Sequence, residues 1–138
     1  MKITAFNFLP KASEELRKEV FMREQGFTDE FDGVDERCVH LLAREGKEAV
    51  ATCRLYFDEG FGAYLVGRIC VKRAFRGKGI GSRLLEEAFR IVKEKGGKEL
   101  ILHAQLQAVP FYEKLGFIPF GEKDTDEGRF HIWMKKAV

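Results

Sequence analysis

The chain has 138 residues, 45% of them hydrophobic and 33% charged, enough for one sizeable core and too few to give two domains a core each. With 24 basic against 22 acidic side chains the net charge is +2, which excludes a surface coated for polyanions and confines any nucleic-acid contact to a local patch. The longest apolar runs, such as 63–66, fall far short of the roughly 20 residues that cross a bilayer, residues 1–4 open no signal peptide, and Cys38, Cys53 and Cys70 are odd in number without C-x-x-C spacing, so the expectation is a cytoplasmic chain with reduced core thiols, no disulfide framework and no metal knuckle.

Residues 4–8 alternate weakly and read as a first strand. Ser13, followed by Glu14 and Glu15, then offers a cap with early carboxylates, and Leu16, Val20 and Phe21 make the apolar stripe of a helix. From Gly26 to Arg37 the periodicity is lost. Asp29, Glu30, Asp32, Asp35 and Glu36 accumulate there without a basic partner, the pattern of an acidic loop or irregular helix. Residues 38–44 and 49–57 are β-rich and joined through Glu45-Gly46-Lys47 as a hairpin, and a further strand over 63–71 follows Gly60 and Gly62. Ile80, Leu84, Leu85, Ala88, Ile91 and Val92 recur at helical spacing opposite Arg83, Glu86, Glu87, Arg90 and Lys93, with Gly96-Gly97 as the stop. Residues 99–104 read as a buried strand and 108–115 as a short helix, with Pro110 in its first turn and Gly116 past its end; 117–120 and 130–134 close the chain as strands. Hairpins first and strand–helix alternation later imply an α/β fold of the α+β kind, a mixed sheet covered by helices. With no repeat, low-complexity tract or linker, residues 1–138 are expected to form one domain.

The stretch that carries chemistry is 66–82, in which a strand enters the glycine-rich turn Arg76-Gly77-Lys78-Gly79-Ile80-Gly81-Ser82 and opens directly into the strongest helix. Amides at a helix start have no intrahelical acceptor and lie at the positive end of the helix dipole, and glycines let a phosphate approach the main chain. Lys72, Arg73, Arg76, Lys78 and Arg83 add positive charge with no acid among them, matching a pyrophosphate; a capped helix with an exposed basic face is the plainer reading. Ser82 stands where G-x-G-x-x-G requires glycine, and the Walker order Gly-Lys-Ser/Thr is missing, so the dinucleotide and P-loop readings lose.

The turn from Arg76 to Gly81 resembles the Arg/Gln-x-x-Gly-x-Gly/Ala pyrophosphate loop of the GCN5-related N-acetyltransferases (GNAT). Gln105-x-x-Ala108-x-x-Phe111-Tyr112-Glu113-Lys114-Leu115-Gly116-Phe117 is similar to that family's later block, with Gln105 in place of the usual asparagine. Val20-Phe21-Met22-Arg23-Glu24-Gln25-Gly26, Glu30-x-Asp32-x-x-Asp35, His40-Leu41-Leu42 and Gly128-x-x-His131-Ile132-x-Met134 resemble the ElaA-like subgroup. The resemblance implies a mixed, mainly antiparallel sheet of about six or seven strands flanked by helices, with a splayed strand pair holding acetyl-CoA as cosubstrate. It implies that Ile69, Cys70 and Val71 bond the pantetheine through main chain, that an amide near Cys70 or Val71 polarises the thioester oxygen, that residues 76–82 and Gln105 contact the cofactor, and that Tyr112 protonates the departing thiolate. A Tyr112 that merely packs beside the thioester is the alternative. Phe111 and Leu115 read as core anchors of their helix.

An acceptor amine of lysine-like pKa, about 10.4, is almost wholly protonated at pH 7 and needs a base. Glu24, Glu30, Asp32 and Asp35 are the candidates, or the acidic stretch attracts a cationic substrate, or it is simply solvated. Arg54 is expected either to bind an acceptor carboxylate or to pair with that acidic stretch. No histidine is paired with Cys70 in the sequence, so the thiol reads as structural. His40, His103 and His131 lack metal spacing and read as packing or hydrogen-bonding groups, while Trp133 and the phenylalanines suit a core better than a base-stacking surface.

The leading expectation is an N-acetyltransferase working through a ternary complex of acetyl-CoA and an amine of a small molecule or peptide, as monomer or homodimer, with no nucleic acid and no membrane. An acyl-CoA-binding or sensing module without turnover and an acyl-homoserine-lactone-synthase-like acyltransferase are the alternatives.

Overall fold

A computed structural model of the chain describes residues 1–28 and 30–138; Asp29, counted above in the acidic stretch, lies outside the described residues. The strands are β1 (Lys2–Phe6), β2 (Val39–Glu45), β3 (Glu48–Asp58), β4 (Ala63–Val71), β5 (Glu99–Gln105), β6 (Ile118–Asp126) and β7 (Arg129–Ala137), and the α-helices are α1 (Lys11–Arg17), α2 (Ile80–Glu94) and α3 (Val109–Lys114). The strands form one seven-stranded sheet in the order β1-β2-β3-β4-β5-β7-β6, with a parallel β4–β5 step and antiparallel pairing of β1 with β2, β2 with β3, β5 with β7 and β6 with β7. The chain divides into two compact units, Met1–Tyr56 with Val66–Ala88, and Phe57–Leu65 with Phe89–Val138.

In the first unit β1 and β2 pair from Lys2↔Arg44 to Phe6↔His40, two residues earlier than the sequence suggests, because Pro10 starts α1 at Lys11 and leaves Phe8 exposed. Ser13 is therefore inside the helix and buried, where its Oγ is hydrogen-bonded to Thr52 Oγ1 at 2.8 Å in place of a capping bond. Past Arg17 the helix widens into a π-helical segment, Lys18–Glu24. Leu16, Val20 and Phe21 pack with Leu42 and Cys70 as the periodicity required. β3 is buried through six consecutive residues, as a central strand covered on both faces must be. Within the acidic stretch lies a 3₁₀ turn, Gly33–Arg37, capped by the Asp32 side chain accepting from Val34 N–H at 3.1 Å, and Glu30 and Asp35 are buried.

In the second unit β5 and β7 are in register from Glu99↔Ala137 to Gln105↔His131, and β4 joins β5 at Tyr64↔Leu100 and Leu65↔Ile101. Gly97 is required by contact rather than by dihedral, since a Cβ there would lie 2.5 Å from Val92 Cγ1 and 2.8 Å from Tyr64 Cδ2. β6 runs longer than the apolar pattern 117–120 because an irregularity between Phe120 and Asp124 lets a polar continuation stay paired with β7. The expected anchors of α3 are corrected: Phe111 is exposed and Leu115 half-buried, whereas Tyr112 and Phe117 face inward. A helix of six residues has room for one buried side chain, and the chain bends back so that Phe117 N–H donates to the Tyr112 carbonyl at 3.1 Å.

Candidate functional site

The glycine-rich turn lies wholly in the first unit. After β4, a 3₁₀ turn at Arg73–Phe75 leads to an extended Arg76, and Gly77 and Gly79 take φ of +77° and +79°, a region that costs an L-residue about 1–2 kcal/mol. These two dihedrals reverse the chain into α2, whose first regular bond runs from Arg83 N–H to the Gly79 carbonyl at 3.1 Å. The amides of Gly79, Ile80, Gly81 and Ser82 precede that bond and have no acceptor within the helix. Beside them a pocket of about 310 Å³ is lined by Met1, Glu45, Phe75, Lys78, Ile80 and Arg83. The first turn of α2 carries no acid, and the pocket's Glu45 is paired with the Met1 ammonium at 3.7 Å, so the donors with Lys78 and Arg83 fit a diphosphate.

Arg76 braces this turn. Its Nε donates to the Val71 carbonyl at 2.9 Å, and its two terminal nitrogens hold both Glu24 oxygens at 2.6 and 2.8 Å. The hydrogen bond from Arg76 holds the Glu24 carboxyl below its ordinary range and leaves it a poor base.

The acidic stretch has basic partners after all, supplied from strands and helix distant in sequence. Arg17, 1% exposed at its side chain, reaches Glu30 at 3.0 Å and Asp35 at 2.8 Å. Arg54 reaches Asp32 at 2.7 Å and Asp35 at 3.0 Å, and Arg68 reaches Glu30 at 2.9 Å. Of the two readings of Arg54, the structure contains the ion pair with the acidic stretch. The hydrogen bond from Arg54 pulls Asp32 down; Asp35 also ends low, burial being outweighed by Arg17 and Arg54; Glu30 ends high because burial outweighs its arginines. Asp35, Cys38 and His40 bring potential ligand atoms within 4.8 Å of one another, but each is engaged: Asp35 by two arginines, Cys38 with the Val34 carbonyl, and His40 Nε2 with the Asp35 carbonyl at 2.9 Å.

On β4, Ile69 and Val71 are half-buried and Cys70 is buried. Burial pushes the Cys70 thiol up to about 12, which suits a packing group and not a nucleophile. Immediately before them Arg68 adopts φ of +50°, a left-handed conformation inside a strand, held by Nε donating to the Glu30 carbonyl at 3.0 Å. No pattern of periodicity marks this position; a glycine followed by a charged residue in an otherwise apolar strand was the available signal.

Gln105 and Tyr112 belong to the second unit. Gln105 ends β5 and accepts from Gln107 at 2.7 Å. Tyr112 is 9% exposed and packs edge-on against Phe111 and Phe117, with ring centroids 5.1 and 6.1 Å away. In the same unit His103 on β5 lies 2.7 Å from Asp124 and stacks on His131 and Trp133, an arrangement the sequence did not announce because its members are on three strands. No helix among the described residues is long and apolar enough to cross a membrane.

Comparison with known proteins agrees with these motifs. The sequence profile of the acetyltransferase (GNAT) domain matches residues 8–138. A Bacillus subtilis (strain 168) protein named provisionally as an acetyltransferase is 38% identical over 140 residues, covering 98% of this chain and 93% of its own. The crystal structure of Escherichia coli ElaA superposes with a TM-score of 0.87 at 27% identity, covering 98% of each chain. A Bacillus subtilis acetyltransferase crystallised in complex with CoA shares the fold, with a TM-score of 0.77 at 18% identity, covering 99% of this chain and 98% of its own. Its mixed seven-stranded sheet, its strand-to-helix glycine turn and the profile match over nearly its whole length show that this chain belongs to the GNAT acetyltransferase family, whose cosubstrate is acetyl-CoA.

Proposed function

We propose that residues 1–138 act as one N-acetyltransferase domain that moves an acetyl group from acetyl-CoA directly to a primary amine. The observation that carries this reading is the start of α2: four amides without helical acceptors, presented by two left-handed glycines in a turn that contains no acid. The amides of residues 79–82, with Lys78 and Arg83, hold the diphosphate of CoA, while Gly77 shapes the turn and Arg76 braces it. Ile69, Cys70 and Val71 offer main-chain groups to the pantetheine, Gln105 contacts the cofactor from β5, and Tyr112 protonates the CoA thiolate as the C–S bond breaks. A phenol hydroxyl carries its proton at pH 7 and can donate it. Cys70 takes no part as a nucleophile, and the reaction needs no acyl-enzyme.

One observation favours a second reading, a CoA-binding module without turnover: the four carboxylates offered as bases are all bonded to arginines. Calorimetry with acetyl-CoA, followed by CoA release across a panel of primary amines, separates the two. Transfer to any amine supports the enzyme, and binding with transfer to none supports the sensor.

A further inference from the structure

An ammonium group must lose its proton before it can attack a thioester, and Glu24, Glu30, Asp32 and Asp35 are each bonded to an arginine. Resting on the transferase reading above, we propose that His103, oriented by Asp124, accepts that proton from the incoming amine.

The chemistry of the pair selects the tautomer. His103 Nε2 lies 2.7 Å from Asp124 Oδ1, and an ionised carboxylate only accepts, so Nε2 carries the hydrogen and the lone pair falls on Nδ1. Among the described residues no hydrogen bond occupies Nδ1. The carboxylate also stabilises the imidazolium that forms when Nδ1 takes a proton, the role an acid plays behind a histidine base.

Placement supports the assignment. The pairings His103↔Trp133, Gln105↔His131, Phe120↔Trp133 and Asp124↔His131 put these six residues on one face of β5, β7 and β6. Gln105, the β5 position that the family motif gives to the cofactor, is thus two residues along the same face, about 6.6 Å away at the rise of a strand. The imidazole is clamped by stacking on Trp133 at 4.2 Å and on His131 at 4.6 Å, and Phe61 covers Trp133 at 4.8 Å. It nevertheless keeps 24% of its side chain exposed, whereas His131 and His40 are buried and already bonded to backbone carbonyls. A ring stacked between aromatic neighbours, with Nε2 bound to a carboxylate and no hydrogen bond at Nδ1 among the described residues, is built to move a proton.

The step balances as follows. R–NH₃⁺ gives one proton to His103 Nδ1, and the freed lone pair forms the C–N bond at the thioester carbonyl. Collapse breaks the C–S bond, the nitrogen loses a second proton, the thiolate gains one through Tyr112, and the imidazolium returns its own to solvent. The products are R–NH–CO–CH₃, CoA–SH and one proton.

The test compares the alkylamine best acetylated by the wild-type protein with its β,β-difluoro analogue, nearly the same size but far less basic. His103→Gln is expected to lower kcat/KM for the alkylamine about 100-fold, and Asp124→Asn about 10-fold, while both leave the difluoro amine within about threefold. Acetyl-CoA affinity, read by calorimetry, stays at the wild-type value in both variants and certifies the fold. Equal losses on the two amines, or no loss on either, overturn the proposal, since a packing role does not distinguish nucleophiles by basicity. Failure of the transferase reading is seen separately, in wild-type protein that binds acetyl-CoA and acetylates nothing, and it removes this inference with it.

Discussion

Replacing Gly79 by alanine tests the glycine turn at a single atom. Gly79 has φ of +79°, and a Cβ built there meets nothing within 4 Å, so the folded protein suffers backbone strain without collision. That strain is about 1–2 kcal/mol, which for a chain of this length lowers Tm by roughly 3–8 °C. The new methyl group, however, stands beside amides that would receive an anion. Displacing a diphosphate oxygen from one charge-assisted amide bond removes about 1.5–3 kcal/mol, a factor of roughly 10 to 150 in CoA affinity. Gly128 is the matched control: φ of +78°, equally open space, in the turn between β6 and β7. Differential scanning calorimetry should find similar losses of Tm in Gly79→Ala and Gly128→Ala, and isothermal titration should find weakened CoA binding in the first alone. Two variants equally destabilised and equally good at binding CoA would refute the assignment of the diphosphate to this turn.

Glu24→Gln releases the fork of Arg76 and removes a negative charge near the turn, so CoA should bind a few-fold more tightly at low salt, with the gain fading as the salt rises; because the pair is part-exposed, urea unfolding should change by about 1 kcal/mol or less. Weaker CoA binding at low salt would contradict that electrostatic sign. Arg17→Met leaves Glu30 and Asp35 without the guanidinium that joins them, and breaking such a buried pair should destabilise by about 3–5 kcal/mol in urea titration; a loss under about 1 kcal/mol would make the network ornamental. Asp32 and Asp35 have folded pKa values held below their ordinary range. Their contribution is therefore complete above the unfolded carboxylate value of about 3.9 and disappears as pH falls through the lower folded values. Thermal scans between pH 7 and pH 3 should show a Tm that drops below about pH 4, and Asp35→Asn should be less stable at pH 7 with a shallower acid limb. An unchanged limb in that variant would deny Asp35 its share.

Where information is local, the sequence was enough. Pro110 and Gly116 bracket α3, Gly96 and Gly97 stop α2, and the β2–β3 hairpin forms around Gly46, because caps and turns are decided by residues within a few positions of each other. The glycine turn was legible for the same reason: strand, basic glycine run and helix are consecutive. Misplacements arose where two local signals compete, as when Ser13 looks like a cap but the extended Pro10 already stands at the N-cap three residues earlier. The π-helical continuation of α1 has no periodic signature, since Leu16, Val20 and Phe21 satisfy a regular helix equally well.

The acidic stretch shows why site chemistry was harder to read than fold. In sequence Glu30, Asp32 and Asp35 look unpaired because their partners, Arg17, Arg54 and Arg68, sit on a helix and two strands and meet them only after the chain has folded. Each of those arginines is ambiguous alone: Arg54, on a strand, is as good a ligand for a substrate carboxylate as for Asp32. Burial decides between them, since a guanidinium 6% exposed already bonds two carboxylates through its terminal nitrogens. The reverse holds for His103, which in sequence has no neighbour of chemical interest and acquires Asp124 across β7 through the irregular pairing of β6. The arginine bonds of those carboxylates and the proposal made for His103 thus rest on the same rule: a charged group's chemistry is set by what folding places within about 3 Å of it, and sequence proximity reports that distance only within a turn or a cap.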